Sequence, residues 1–280
     1  MRKSTVNRSS QTNIASPGPT TSHGAGVGRI TPVARVKLSN AVYEDLGQAI
    51  VNGEYPTGSS LPGELDLGTA YGVSRTVVRE ALYQLGACGL VQSRPKVGAQ
   101  VLPRESWEFG SAAVIRWVSQ SPGRAEFLHY VTEMRRIVEP EAAAMSARRA
   151  SEVQRRKISD AMADMRLAVE REDIDLFKLA DENFHLSIAY ACGNPLLMEF
   201  TAKLRRAVTL SRDTSTSAIN HEEIVKQMNK SSVDELAQLA LAAHNKVAES
   251  ILEGDEMGAR CAMQELLNEV DHALTLVLGV

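Results

Sequence analysis

Apolar residues recur at helical spacing along most of this 280-residue chain. Val42, Leu46 and Ile50 lie four residues apart and predict a first helix that starts near Leu38 and ends near Gly53. A turn over residues 55–58 separates it from a second helix, predicted to open at residues 61–64. A third helix is predicted to follow a turn at Gly72. Four of its residues recur at helical spacing and are expected to face a core: Val78, Ala81, Leu82 and Leu85.

Beyond the third helix, the pattern changes to two short apolar runs. Gly89 is expected to end the helix, and residues 90–93 and 98–102 are predicted as two strands joined by a basic turn. Three helices followed by a hairpin make a winged helix-turn-helix, which we place at residues 34–104.

The third helix presents a second, polar face. Ser74 is expected at its N-cap, with the hydroxyl accepting from a free backbone N–H. Arg75, Thr76 and Arg79 fall away from the apolar face and suit the DNA major groove. Each arginine can grip a guanine edge or a phosphate, and spacing alone does not assign which. The alternative is a solvated helix face with no partner.

The rest of the chain divides into three further segments. Residues 1–33 are rich in Ser, Thr, Gly and Pro and predict a disordered tail. Residues 105–122 predict a linker helix that packs between domains. Residues 123–280 are helical throughout and predict an all-α bundle of six or seven helices. The fold class is therefore mainly α.

Charge is unevenly distributed. Residues 1–104 hold 11 Lys and Arg against 6 Asp and Glu, or +5, whereas residues 105–280 hold 20 against 28, or −8. A basic front half suggests a polyanionic partner, although chance variation of surface charge is the alternative. No apolar run could span a bilayer and no secretory signal is visible, so we expect a cytoplasmic protein with three reduced cysteines.

Polar residues on inward faces of the bundle are the candidate chemistry, because buried polar groups need partners. Arg135 lies beside a stripe that includes Val131, Met134 and Val138, and its donors would suit a ligand carboxylate. The alternative is an intrahelical pair with Glu139, and the two can coexist.

A possible metal site involves two other helices. Asp181 and His185 share the inner face of one helix at i and i+4, and His244 lies in the apolar stripe of another. A carboxylate and two imidazoles could bind one divalent metal ion. The alternatives are a structural Asp–His hydrogen bond and a lone core histidine.

Roughly residues 38–102 resemble the DNA-binding domain of GntR-type bacterial regulators. The resemblance rests on Pro56-x-Gly58-Ser59-x-Leu61-Pro62-x-Glu64, on Gly72-Val73-Ser74-Arg75-x-x-Val78-Arg79-Glu80-Ala81-Leu82, and on Gly89-Leu90-Val91. It implies DNA contacts from the third helix and from the wing, through Ser74, Arg75, Thr76, Arg79, Arg94 and Lys96. Leu65 departs from the family, which usually has Arg or Lys at this position.

The second half resembles the FCD ligand-binding domain of the FadR-like branch of that family. The resemblance rests on Glu133-x-Arg135-x-x-Val138-Glu139-Pro140, Asp181-x-x-x-His185, Gly193-Asn194-Pro195 and His244-x-x-Val247. It implies a zinc, nickel or manganese ion held by Asp181, His185 and His244, and a small carboxylate effector near Arg135 and Asn194. The family's fourth metal ligand falls on Leu266, which cannot coordinate. The segments Leu102-Pro103-Arg104-x-x-Trp107 and Val114-x-x-Trp117 resemble regulators of sugar-acid catabolism.

Together these features predict a homodimeric transcription regulator, a repressor that a sugar acid or other small carboxylate releases from operator DNA. Two subunits would place two recognition helices on a short pseudo-palindrome. Two other classes compete: a metal-dependent enzyme with a DNA-binding appendage, and a nonspecific nucleoid-binding or scaffolding protein.

Overall fold

The computed structural model describes residues 33–94, 97–215 and 233–278. The tail predicted over residues 1–33, apart from Val33, and Lys96 of the predicted wing lie outside these ranges. No helix in them is long and apolar enough to cross a membrane.

Within residues 33–101, the described part of the chain forms three helices and a hairpin, as predicted. Helix α1 spans Val33–Val51, α2 spans Glu64–Tyr71 and α3 spans Arg75–Ala87, and strands β1 (Val91–Arg94) and β2 (Gly98–Val101) pair antiparallel. The predicted start of α1 near Leu38 was wrong. Val36 and Leu38 are exposed, so these two residues of α1 do not extend the inward apolar pattern of Val42, Leu46 and Ile50.

A linker follows the hairpin. After a single 3-10 turn at Arg104–Ser106, helix α4 spans Ala112–Ser119, within the predicted segment 105–122. Trp117 of α4 is almost fully buried, and its indole Nε1 donates to Glu44 of α1 at 2.9 Å. Its ring also meets Tyr43 edge to face, with ring centroids 5.0 Å apart.

The remaining described residues form an all-α bundle, as predicted. Six helices follow α4 in the described ranges: α5 (Arg124–Arg149), α6 (Glu152–Glu170), α7 (Ile174–Ala191), α8 (Pro195–Ser215), α9 (Val233–Glu253) and α10 (Glu256–Leu278). The breaks predicted near residues 150, 172, 193 and 254 all separate helices. The chain is therefore mainly α, with a winged helix-turn-helix ahead of a helical bundle.

Two apolar cores hold the molecule together. The first runs from the winged helix through α4 into α5 and α8, and joins Leu46, Leu85, Trp117, Phe127 and Val208. The second lies among α5, α6, α7, α9 and α10. Because the first core crosses from one domain to the other, α4 fixes the winged helix against the bundle.

Gly47 and Gly86 make a matched pair of helical glycines. A Cβ on Gly47 would lie 2.3–2.7 Å from the Trp117 ring, whereas one on Gly86 would meet only the Val91 carbonyl at an ordinary 3.5 Å. Gly47→Ala should destabilise the protein by about 1–3 kcal/mol through overpacking. Gly86→Ala should stabilise it by up to about 1 kcal/mol through helix propensity. Urea unfolding midpoints test this, and equal shifts for the two variants would contradict the packing described here.

Candidate DNA interface and buried polar site

The outward face of α3 carries the four polar residues predicted to contact DNA. Ser74, Arg75, Thr76 and Arg79 are all exposed, while Val78, Ala81, Leu82 and Leu85 are buried, as predicted. The expected hydroxyl cap is absent, although Ser74 is the N-cap residue. The N–H groups of Val77 and Val78 bond instead to the Ser74 carbonyl, so the hydroxyl caps neither.

The arginines of this face share an acidic partner that sequence reasoning missed. Arg79 donates to Glu64 from Nε at 3.2 Å and from Nη2 at 2.9 Å, and Arg75 Nη2 lies 3.3 Å from the same carboxylate. Glu64 is the first residue of α2, which the Gly72 turn folds back against α3. The hydrogen bond from Arg79 lowers the pKa of Glu64 and raises that of Arg79. Helical periodicity relates residues within one helix only, so it could not pair Glu64 of α2 with Arg79 of α3.

The wing is only partly described. Arg94 is exposed at the end of β1, opposite Gly98 in the hairpin register. Leu65, where the family usually has a basic residue, is 66% exposed and presents an apolar side chain.

Four helices of the bundle bring charged residues together in its interior. The groups are Arg135 and Glu139 of α5, Asp181 and His185 of α7, Arg205 of α8 and His244 of α9, and all are buried. Asp181, His185 and His244 offer ligand atoms that all lie within 4.8 Å of one another. The structure therefore unites the three residues predicted as metal ligands.

Both histidines turn the same ring nitrogen toward Asp181. His244 Nδ1 lies 2.7 Å from the Ala240 carbonyl, which can only accept, so Nδ1 donates to it, and Nε2 faces Asp181 Oδ1 at 3.0 Å. His185 Nδ1 lies 2.6 Å from Glu139 Oε2, though poorly aligned for a hydrogen bond, and its Nε2 is 3.6 Å from Asp181 Oδ1.

This arrangement fits a divalent metal ion. Bonds of about 2.0–2.1 Å to two ligands at ordinary coordination angles put those ligand atoms roughly 3.0–3.4 Å apart. Asp181 Oδ1 lies close to that range from both histidine nitrogens, at 3.0 Å from His244 and 3.6 Å from His185. The Nδ1 partners, a carboxylate and a backbone carbonyl, are those that typically orient metal-binding histidines. Leu266 is buried in the apolar core. Leu266, at the position of the fourth ligand of the family, cannot coordinate, so three protein ligands are available among the described residues.

Arg205 is the second residue that sequence reasoning missed. Its Nη2 forms an ion pair with Asp181 Oδ2, away from the histidines. Burial raises the pKa of Asp181, but the Arg205 charge and the two neighbouring histidine rings outweigh this effect, so the pKa of Asp181 lies well below its ordinary value. The signal was available: Arg205 lies at helical spacing between Thr201 and Val208, both buried.

Arg135 lies deeper than predicted. It is 1% exposed and its Nε contacts Glu139 Oε1 at 2.5 Å, so the predicted intrahelical pair forms. Met134, expected in the apolar stripe, is instead 39% exposed. Arg135 Nη1 is buried with no hydrogen-bond partner in the part of the chain that the structure describes. A buried, unpaired guanidinium donor is what an anionic ligand would satisfy.

Asn194 has a structural role. Its side-chain oxygen accepts from the backbone N–H groups of Leu196 and Leu197 and so caps the start of α8. Its predicted contact with an effector stays a prediction.

An apolar cavity of 370 Å³ lies between α4, α5 and α8, lined by Phe127, Val131, Phe200 and Leu204 among others. The six buried residues of the polar site do not line this cavity. Val131 and Leu204 nevertheless place it within about one helical turn of Arg135 and Arg205.

A winged helix-turn-helix with basic groups on its third helix, joined to a helical bundle with a buried polar site, defines the class of DNA-binding transcription regulators. Residues 38–101 match the family described as bacterial regulatory proteins, gntR family, and residues 130–269 match the FCD domain. The chain belongs to the GntR family and carries an FCD domain.

The named relatives of this chain are also transcription regulators. The chain is 31% identical to the uncharacterised HTH-type transcriptional regulator YieP of Escherichia coli K12, over 85% of this chain and 96% of the relative. It is also 31% identical to the galactonate operon transcriptional repressor of the same organism, over 58% and 72%, and to the repressor NanR of Edwardsiella tarda, over 81% and 91%. Since these relatives are regulators, the enzyme alternative is not supported.

A solved structure shows the same fold. The structure of Lar, described as controlling expression of the Listeria monocytogenes agr system, aligns with a TM-score of 0.53 and 19% identity. The alignment covers 88% of this chain and 98% of that one.

Arg205→Ala should be strongly destabilising, because it leaves the buried Asp181 carboxylate without its cation. Breaking a buried pair from one side costs about 3–5 kcal/mol. Arg156→Ala is the matched control, since its pair with Glu152 is 74% exposed on both sides and contributes at most about 1 kcal/mol. Denaturant unfolding of both variants, measured in the presence of a chelator, tests this. An equal loss of unfolding free energy in the two variants would show that the buried pair stabilises the protein no more than the exposed one.

Proposed function

We propose that this protein is a repressor of a catabolic operon and that a small carboxylate, such as a sugar acid, releases it from DNA. The observation that carries the proposal is the unpaired Nη1 of Arg135, whose Nε contacts Glu139, the carboxylate that also lies 2.6 Å from His185 of the metal-ligand cluster. A buried cationic donor next to potential metal ligands suits a carboxylate that also carries a hydroxyl group. The name of the galactonate operon repressor, to which this chain is similar, supports the same chemical class.

Asp181, His185 and His244 would hold the metal ion, which we infer to be zinc, nickel or manganese. A bound divalent ion would supply a Lewis acid that attracts carboxylate and hydroxyl oxygens. Neighbouring groups of the chain would orient these ligands. Glu139 orients the imidazole of His185, the Ala240 carbonyl orients that of His244, and Arg205 orients the Asp181 carboxylate.

Regulation requires that the effector bind one arrangement of the molecule better than another. The polar site involves α5 and α8, and both helices also contribute to the core that contains Trp117. A shift of either helix would therefore reach α1 and the DNA-binding face through α4.

We infer that two subunits bind a pseudo-palindrome in the bacterial cytoplasm. Ser74, Arg75, Thr76 and Arg79 would enter the major groove, and Arg94 and Lys96 of the wing would lie nearby. The inferred domains are residues 34–104 for DNA binding and 123–280 for ligand binding and dimerisation, joined by 105–122.

His185→Ala tests the metal and effector site. Thermal unfolding should be followed with sugar acids such as galactonate, with and without zinc, nickel and manganese, because a ligand that binds the folded state raises the midpoint. The wild type should bind metal and shift with at least one acid, whereas His185→Ala should lose most bound metal and most of the shift. The control is the exposed His129→Ala, which should behave as wild type. Unchanged metal content and response in His185→Ala would reject the site.

Arg79→Ala tests the recognition helix. It should weaken binding to a duplex selected from random DNA by the wild-type protein by at least about 1 kcal/mol, or roughly fivefold, at matched salt. Arg171→Ala, an exposed arginine of the bundle, should leave the affinity unchanged. Equal affinity of Arg79→Ala and wild type would remove α3 from the DNA interface.

A further inference from the structure

We propose that Glu64 is a positioning residue for sequence readout: it holds Arg79 by one edge and leaves the other edge for a base. The proposal rests on the assignment of α3 as the recognition helix. It concerns an acidic residue that lies on the face expected to meet DNA, where a negative charge is repelled by phosphates.

The geometry of the pair carries the inference. A guanidinium presents five N–H donors in a fixed, planar fork. Glu64 receives the side edge of Arg79, formed by Nε and Nη2. The terminal edge, formed by Nη1 and the second hydrogen of Nη2, makes no hydrogen bond to Glu64. Two parallel donors of this kind match the O6 and N7 atoms of guanine.

Holding Arg79 in advance reduces the entropy lost on binding. The Arg79 side chain is 69% exposed, so without Glu64 its long chain would sample many rotamers and reach nearby phosphates. The carboxylate restricts this sampling before DNA arrives. It therefore favours the aligned base contact over phosphate contacts, which carry little sequence information.

Glu64 also offsets the charge of two arginines at once. Arg75 Nη2 lies 3.3 Å from the carboxylate that holds Arg79. One negative charge between two positive ones weakens their attraction to any DNA backbone, specific or not. Since exposed ion pairs contribute little to folding, we assign the cluster to discrimination between sequences.

The experiment compares two charge-matched variants, Glu64→Gln and Asp66→Asn. Asp66 lies two residues further along the same helix, is exposed, and makes no ion pair with either arginine. Fluorescence anisotropy would measure binding to the duplex selected by the wild type and to a scrambled duplex of equal length and composition, at several salt concentrations.

Glu64→Gln should bind the scrambled duplex more tightly, with a salt slope steeper by about one unit, and its preference for the selected duplex should fall at least fivefold. Asp66→Asn should change binding to both duplexes by the same factor, and so leave the preference unchanged. Thermal unfolding midpoints of both variants should match the wild type.

A second comparison isolates the route through Arg79. In an Arg79→Ala background, Glu64→Gln should cause no further loss of preference. An unchanged preference in Glu64→Gln, or an equal loss in both backgrounds, would overturn the proposal. If Arg79→Ala itself leaves binding to the selected duplex intact, then the recognition-helix assignment fails instead, which separates the two outcomes. Failure of the wild type to select any duplex would overturn both.

Discussion

The bundle depends on one carboxylate buried among four helices. Asp181 receives Arg205 of α8 on one oxygen and faces both histidines with the other. A carboxylate in this environment is tolerable only because cationic and hydrogen-bonding groups surround it, and removal of Arg205 leaves an uncompensated buried charge. The same requirement fixes the relative positions of α7, α8 and α9, since each supplies a group at a set distance. The constraint that holds the bundle together thus also builds its polar site.

A second constraint operates between the two halves of the molecule. Trp117 fills a space that exists only because residue 47 has no side chain. Arg116 and Trp117 both donate to Glu44, so that polar and apolar contacts fasten α4 to α1. The DNA-binding domain therefore rests on a rigid joint, and a displacement in the bundle can be passed on as a movement of the whole joint.

Periodicity alone predicted much of this structure, and where it failed the reason is physical. The helices, the hairpin and the inward positions of Asp181, His185 and His244 follow from apolar residues that repeat within one element. Glu64 and Arg205 act across elements, at separations of 15 and 24 residues from their partners. Their partnerships depend on how helices cross, which no local repeat encodes. Ser74 is the N-cap residue as predicted, but the N–H of Val77, which its hydroxyl could have reached, bonds to its carbonyl instead.

The joint at Gly47 and Trp117 also bears on how such regulators can diversify. A DNA-binding domain joined to its bundle only by a flexible linker could be exchanged for another DNA-binding domain without further change. Here α1 contributes both to the DNA-binding domain and to the surface that receives α4. A chimera that kept this bundle but took the DNA-binding domain of a relative would also need a compatible α1. That helix would need a small residue facing the Trp117 indole and an acceptor for the indole N–H. The modularity of this chain is therefore set at α1 and α4, well away from both the DNA and the ligand.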